Sequence, residues 1–135
     1  MNHLAHAFLA ADTPESLIGN LAGDFFKGPV ERHDARLQAG IRFHRRVDAF
    51  TDSHPAVLAS KRLIAQNHGH YAGIIIDVFY DHLLASSWNR YSDEPLETFA
   101  RRVYGTLDSH PELIPAGFAV SLPRMIADDW LVRYR

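Results

Sequence analysis

Residues 72–84 read AGIIIDVFYDHLL, and they form the most apolar stretch of this 135-residue chain. Large apolar side chains fall on nearly every face of the helix that this stretch predicts, which is typical of a helix in a protein interior. Asp77 and Asp81 are spaced i,i+4, so both carboxylates lie on one face of that helix. Two buried carboxylates require a positive partner, because an unpaired charge is costly to desolvate. The candidates are a divalent cation, an arginine or a shared proton.

Helical patterns also dominate the rest of the sequence, and no segment alternates apolar and polar residues as a strand would. Helices are predicted over residues 2–11, 14–26, 35–51, 55–67, 70–90 and 92–107. Thr13 and Pro14 form a typical helix entry, and Asp34 is a suitable N-cap for the third helix.

Three prolines interrupt the tail, at Pro111, Pro115 and Pro123, and they predict short, broken helices before a last one over residues 125–134. The length suits a single domain over residues 1–135. We therefore expect an all-α fold, a single compact bundle of about six to eight helices.

Composition excludes several classes of function. The chain has no cysteine, which rules out disulfides, thiolate zinc sites and a cysteine nucleophile and suits the cytoplasm. A net charge of −2 provides no basic excess for nucleic acid, and no apolar run is long enough to span a membrane. Nine histidines and eleven aspartates stand against five glutamates and two lysines, an unusual balance for a helical protein. This excess of Asp and His indicates ligation or helix capping.

The third predicted helix carries the densest polar pattern. His44, Asp48 and Asp52 follow one another at a spacing of four, so they share one face of the helix. Such a face can bind a hard divalent metal such as Mn²⁺, Mg²⁺ or Fe²⁺. The alternative is structural, because Arg45 can pair with Asp48 and because Asp52 or Ser53 can cap the following helix.

Two further polar pairs lie near the N-terminus. Asn20 and Asp24 are spaced i,i+4, and His3 and His6 are spaced i,i+3. We expect His3 to be a core histidine, whereas His6 can reach inward to a site. The sequence contains no glycine-rich phosphate loop, serine nucleophile elbow or His-Glu-x-x-His motif. Mixed His and Asp without Cys therefore favours metal-dependent hydrolysis at phosphorus.

Four segments in chain order resemble the acyl carrier protein phosphodiesterase family: MNHLAH at 1–6, GNLAGDF at 19–25, GIRFHRRVDAFTDSHP at 40–55 and AGIIIDVFYDH at 72–82. The resemblance implies a helical, Mn²⁺-preferring enzyme related to the HD-type metal phosphohydrolases. It also implies hydrolysis of holo-acyl-carrier protein to the apo form and 4′-phosphopantetheine. The doublet Asp81-His82 departs from the His-Asp order of an HD site. Family members continue past the Trp130-Leu131 region, so we expect this chain to be short at its C-terminus.

On this basis we expect the metal ligands to be Asp24, His44, Asp48, Asp77 and Asp81, around one or two ions, with Asn20 beside them. We expect the serine leaving group to be protonated by His82, or alternatively by His6 or His54. Arg45 or Arg46 would grip a phosphoryl oxygen, because a guanidinium fork matches that geometry.

The substrate partner implied by the resemblance is acyl carrier protein, an acidic protein. The basic surface expected to receive it comprises Arg36, Arg42, Arg46, Lys61, Arg62, Arg101 and Arg102. Two alternatives from other classes stay open at this point. One is a carrier-binding helical module without turnover, and the other is a phosphohydrolase of nucleotides or other small phosphoesters.

Overall fold

The computed structural model describes residues 1–135 and contains seven α-helices, six short 3₁₀ turns and no strand. The helices are α1 (His3–Leu9), α2 (Pro14–Leu21), α3 (Gln38–Ser53), α4 (Pro55–His68), α5 (Ala72–Ser86), α6 (Leu96–Ser109) and α7 (Ala116–Ala127). The prediction of an all-α fold with six to eight helices is confirmed. No helix combines the length and the apolar character that crossing a bilayer requires.

Several helix ends differ from the predicted ones. The Thr13 hydroxyl caps α2 as expected, by accepting from the Ser16 N–H at 3.2 Å. Asp34, however, does not cap α3, because its carboxylate is engaged with Arg36 in a turn before the helix begins. Pro123 lies inside α7 instead of ending it. The carbonyl of Ala119, which Pro123 leaves without an N–H partner, belongs to an exposed residue that water can reach.

A single cluster of 22 buried side chains forms the core, with contributions from α1, α2, α3, α6, α7 and the residues around Trp88 and Leu131. α5 contributes only Ala85 to this cluster. The expectation that α5 lies in the interior is therefore wrong. Its apolar residues Ile74, Val78 and Leu83 are 64%, 42% and 43% exposed. Hydrophobicity on every face did not distinguish a buried helix from one that leaves an apolar face uncovered.

Two glycines let α2 and α3 approach closely enough to bury the side chains between them. A Cβ atom placed on Gly19 would lie 2.9 Å from the Cα of Gly40 and 2.9 Å from the carbonyl oxygen of Leu37. A Cβ placed on Gly40 would meet the Cα of Gly19 at 3.0 Å. These are backbone atoms, which cannot rotate away as a side chain would. This contact sets the position of α3, which carries the polar face with His44 and Asp48.

We predict that Gly19→Ala lowers the free energy of unfolding by about 1–3 kcal/mol, because the added methyl group forces the two helices apart. Gly105→Ala is the matched control, since Gly105 lies within α6 and has no atom within 4 Å of an added Cβ. That substitution should stabilise the protein by up to about 1 kcal/mol through helix propensity. Urea denaturation of both variants measures the difference, and equal stabilities would contradict the close packing described.

Candidate metal-binding site

His6, His44 and Asp48 converge where α1 meets α3. Asp48 Oδ1 accepts a hydrogen bond from His6 Nε2 at 3.0 Å, and Asp48 Oδ2 accepts one from His44 Nε2 at 3.1 Å. The two imidazole rings are stacked with their centroids 3.9 Å apart. Ligand atoms of all three residues lie within 4.8 Å of one another, so the group can hold one metal ion.

The backbone of α2 orients His44 for this role. His44 Nδ1 donates to the carbonyl oxygen of Asn20 at 2.7 Å, which directs Nε2 towards Asp48. A Cβ placed on Gly23 would lie 2.2 Å from Cγ of His44, so only glycine leaves room for the ring. A histidine held by a backbone carbonyl through one nitrogen and free to ligate through the other is the usual arrangement at metal sites. The residues present therefore fit a metal ion.

Two more acidic side chains border this group. Asp24 Oδ1 accepts from His44 Nε2 at 3.3 Å, and its side chain is 76% exposed. Asp77 Oδ1 lies 3.2 Å from the α-ammonium group of Met1, which also lies 3.4 Å from Asp48 Oδ1. A cation thus already sits between Asp48 and Asp77. Asp24 opens onto a polar cleft of about 360 Å³ that Lys27 and Arg45 also line.

The charges in this group shift each other's ionisation. Burial alone would lower the pKa of His44, but hydrogen bonds to Asp24 and Asp48 outweigh it and raise that pKa to about 9. Burial would raise the pKa of Asp48, yet its hydrogen bonds to His44 and His6 hold it well below the usual range. His44 hydrogen bonding also lowers the pKa of Asp24. Both histidine Nε2 atoms therefore face anionic oxygens, where protons and a divalent cation compete for one position.

Asp81 is fully buried, as the sequence predicts, but its partner is the N-terminus of α1. Its carboxylate accepts from the backbone N–H of Leu4 at 2.7 Å and of Ala5 at 3.3 Å. Burial raises its pKa to about 6, against the effect of these backbone donors. Both oxygens are thus engaged by backbone donors, which anchors α1 on α5, and the expected ligand role of Asp81 stays a prediction.

Other expected site residues have partners of their own. His82 is exposed and hydrogen-bonded through Nδ1 to the carbonyl oxygen of Tyr134 at 2.7 Å. His54 caps α4 by accepting from the Ala56 N–H. Arg45 donates to the carbonyl oxygens of Phe26 and Gly28 at the edge of the polar cleft.

Three further residues singled out in the sequence also lie outside the group of His6, His44 and Asp48. Arg46 is exposed and makes no ion pair. The Asn20 side chain donates to the Ser16 carbonyl, whereas its own backbone oxygen orients His44. Asp52 pairs with Lys61 at 2.8 Å and lies outside the group.

From the sequence, His6 is expected as an alternative proton donor, and neither Lys27 nor Gly23 is expected as a site residue. Helical spacing relates residues within one helix, whereas His6 meets Asp48 across 42 residues of sequence. The glycine at position 23 was visible within the GNLAGDF motif, but its contact with His44 depends on how α2 and α3 pack.

Comparison with known proteins bears on the whole chain. The family model described as acyl carrier protein phosphodiesterase matches residues 1–135. A protein of that name from Photorhabdus laumondii is 36% identical over 139 residues, which cover 99% of this chain and 69% of the relative. Relatives of the same name from Serratia proteamaculans and Escherichia coli O139:H28 are 36% and 38% identical, with 70% and 71% of their lengths covered. No solved structure matches, so the HD-like architecture stays a prediction.

We predict that the free energy of unfolding of the metal-free protein falls as pH rises from about 6.5 to about 9. The pKa of His44 is higher in the folded than in the unfolded state, so its contribution is complete below about 6.5 and is lost through about 9. Asp48→Asn removes one of the two acidic partners of His44 and should make this fall shallower. Urea denaturation in the presence of a chelator, at a series of pH values, measures both slopes. Equal slopes in the two proteins would count against the His44–Asp48 pairing.

Proposed function

The chain belongs to the acyl carrier protein phosphodiesterase family, and from this we propose that it hydrolyses holo-acyl-carrier protein to the apo form and 4′-phosphopantetheine. The observation that carries the proposal is the group His6, His44 and Asp48, with Nδ1 of His44 held by the Asn20 carbonyl oxygen so that Nε2 faces Asp48. We place the reaction in the cytoplasm, in keeping with the absence of cysteine.

We propose that His6, His44 and Asp48 hold a divalent cation and that Asp24 and Asp77 complete its surroundings. Two imidazoles with carboxylates favour Mn²⁺ or Fe²⁺ over Mg²⁺, which prefers an all-oxygen set of ligands. The cation would supply charge neutralisation at the phosphoryl group and acidity for an attacking water molecule.

The polar cleft beside Asp24 is the proposed seat of the phosphodiester. Lys27 and Arg45 line it together with Asp24 and Asp48. Arg45 is fixed by two backbone carbonyls, which orients its guanidinium group at the edge of the cleft. Lys27 makes no ion pair and is free to move toward a phosphoryl oxygen. The identity of the proton donor for the departing serine oxygen stays a prediction. Of the expected donors, His82 is hydrogen-bonded to the Tyr134 carbonyl and His54 to the Ala56 N–H.

Docking of the acidic carrier protein requires basic side chains near this cleft. Of the basic residues expected to form that surface, Arg36, Arg42, Lys61 and Arg102 are already paired with acidic neighbours. Arg46 and Arg62 are exposed and make no ion pair, and Arg46 follows Arg45 on α3. We therefore propose that Arg46 contributes to carrier docking, with an affinity that weakens as salt is added.

We predict that mass spectrometry of holo-carrier protein incubated with this protein and Mn²⁺ shows loss of the prosthetic group, and that a chelator prevents it. His44→Ala should lower the rate by about 100-fold or more and lower Mn²⁺ content, because a ligand is removed. His82→Gln serves as the control, since it preserves a donor for the Tyr134 carbonyl and should leave Mn²⁺ content unchanged. Retention of the full prosthetic-group mass with the Mn²⁺-loaded protein would refute the proposed activity.

We predict that Lys27→Met raises KM for holo-carrier protein about fivefold, the effect of losing roughly 1 kcal/mol of attraction to the phosphate. Lys61→Met is the matched control, because Lys61 is the other lysine of the chain and pairs with Asp52 outside the cleft. Steady-state kinetics at fixed ionic strength compare the two variants. An equal effect of both substitutions would indicate a general loss of positive charge.

A further inference from the structure

An apolar groove runs between α1 and α5 and shares no lining residue with the polar cleft. Its volume is about 550 Å³, and eight of its nine lining residues are hydrophobic. Its walls are formed by Ala5, Phe8 and Leu9 from α1 and by Tyr80, Leu83 and Leu84 from α5. We call this feature the α1–α5 groove.

Met1 connects the groove to the metal-binding group. Met1 lines the groove, and the ammonium group of the same residue lies 3.4 Å from Asp48 and 3.2 Å from Asp77. On α5 the lining residues run from Tyr80 to Ser87, which lies just beyond the last residue of the helix, and Tyr91 also lines the groove. The seven residue steps from Tyr80 to Ser87 span ~10 Å at ~1.5 Å per residue.

The extended prosthetic arm of holo-carrier protein is a few ångströms longer than this stretch of α5. Beyond its phosphoester oxygen the arm has about twelve chain atoms, as many as about four residues, and spans ~14 Å when extended at ~3.6 Å per residue. An arm whose thiol end lies at Ser87 and Tyr91 would therefore extend past Tyr80 on the side of Met1, whose ammonium group lies 3.4 Å from Asp48.

The chemistry of the side chains that line the α1–α5 groove and the polar cleft also assigns the arm to the groove. The dimethyl group and the methylenes of the arm suit walls of leucine and phenylalanine, and the hydroxyls of Ser87 and Tyr91 can meet its amides. The polar cleft has only one hydrophobic residue, Phe26, among its eight lining residues, so it suits the phosphate and the carrier surface.

Resting on the proposed function, we propose that the α1–α5 groove binds the pantetheine arm of the substrate in an extended conformation. Leu83 is then a residue that positions the substrate through its arm. It is 43% exposed and lines the groove about midway between Tyr80 and Ser87.

Leu83→Gln tests this proposal, with Val78→Gln as the matched control. Val78 lies on the same helix and is 42% exposed, but it does not line the groove. Kinetics are measured with holo-carrier protein and with bis(p-nitrophenyl) phosphate, a diester without the arm. Leu83→Gln should raise KM for holo-carrier protein about tenfold, the size expected for a lost apolar contact, with kcat and hydrolysis of the small diester unchanged. Val78→Gln should change neither reaction.

Equal KM values for holo-carrier protein in the two variants would overturn the groove assignment. So would a loss of both activities in Leu83→Gln, since Leu83 would then act on the metal-binding group and not on the arm. A wild-type protein that hydrolyses only the small diester would refute the proposed function instead. In that case inhibition by free pantetheine tests the groove assignment. Pantetheine should inhibit hydrolysis of the small diester by the wild type and not by Leu83→Gln. Equal inhibition of both proteins would refute binding of the arm in the groove.

Discussion

The contact between Asp48 and two histidines from different helices is the interaction on which the site depends. Asp48 and His44 belong to α3, whereas His6 comes from α1, so the carboxylate joins the two helices at one point. Because the histidines are buried and Asp48 is only partly so, the negative charge faces the cleft. An ion entering from the cleft would replace protons that the same nitrogen atoms now share with Asp48.

The negative charges gathered around this point are balanced in two different ways. Asp48 and Asp77 face a full positive charge, the ammonium group of Met1, and Asp48 also lines the cleft. Asp81 faces only backbone N–H groups at the start of α1, which satisfy its oxygens without neutralising it. Of the two carboxylates spaced i,i+4 on α5, Asp77 thus lies beside the site, whereas Asp81 anchors α1, the helix that carries His6.

The sequence predicts those parts of the site that lie within one helix. The spacing of His44 and Asp48 on α3 was recognisable because helical geometry alone brings them together. The partners of Asp81 were not recognisable, because they are backbone groups 77 and 76 residues away. The sequence also predicts the all-α class, but not the exposure of α5, since a helix that is apolar on every face does not reveal which of its faces find neighbours.

A polar cleft lined by Asp48 and an apolar groove lined by Met1, whose ammonium group contacts Asp48, suit a substrate with two kinds of surface. The phosphodiester of holo-carrier protein is charged, whereas the arm beyond it is largely made of methyl and methylene groups. An apolar arm gains from leaving water in a hydrophobic groove, and a phosphate gains from cationic side chains that remain hydrated. If the arm and the phosphate are bound at the same time, the ester that joins them is held at Asp48. Binding energy from remote parts of the substrate would then orient the reacting atoms.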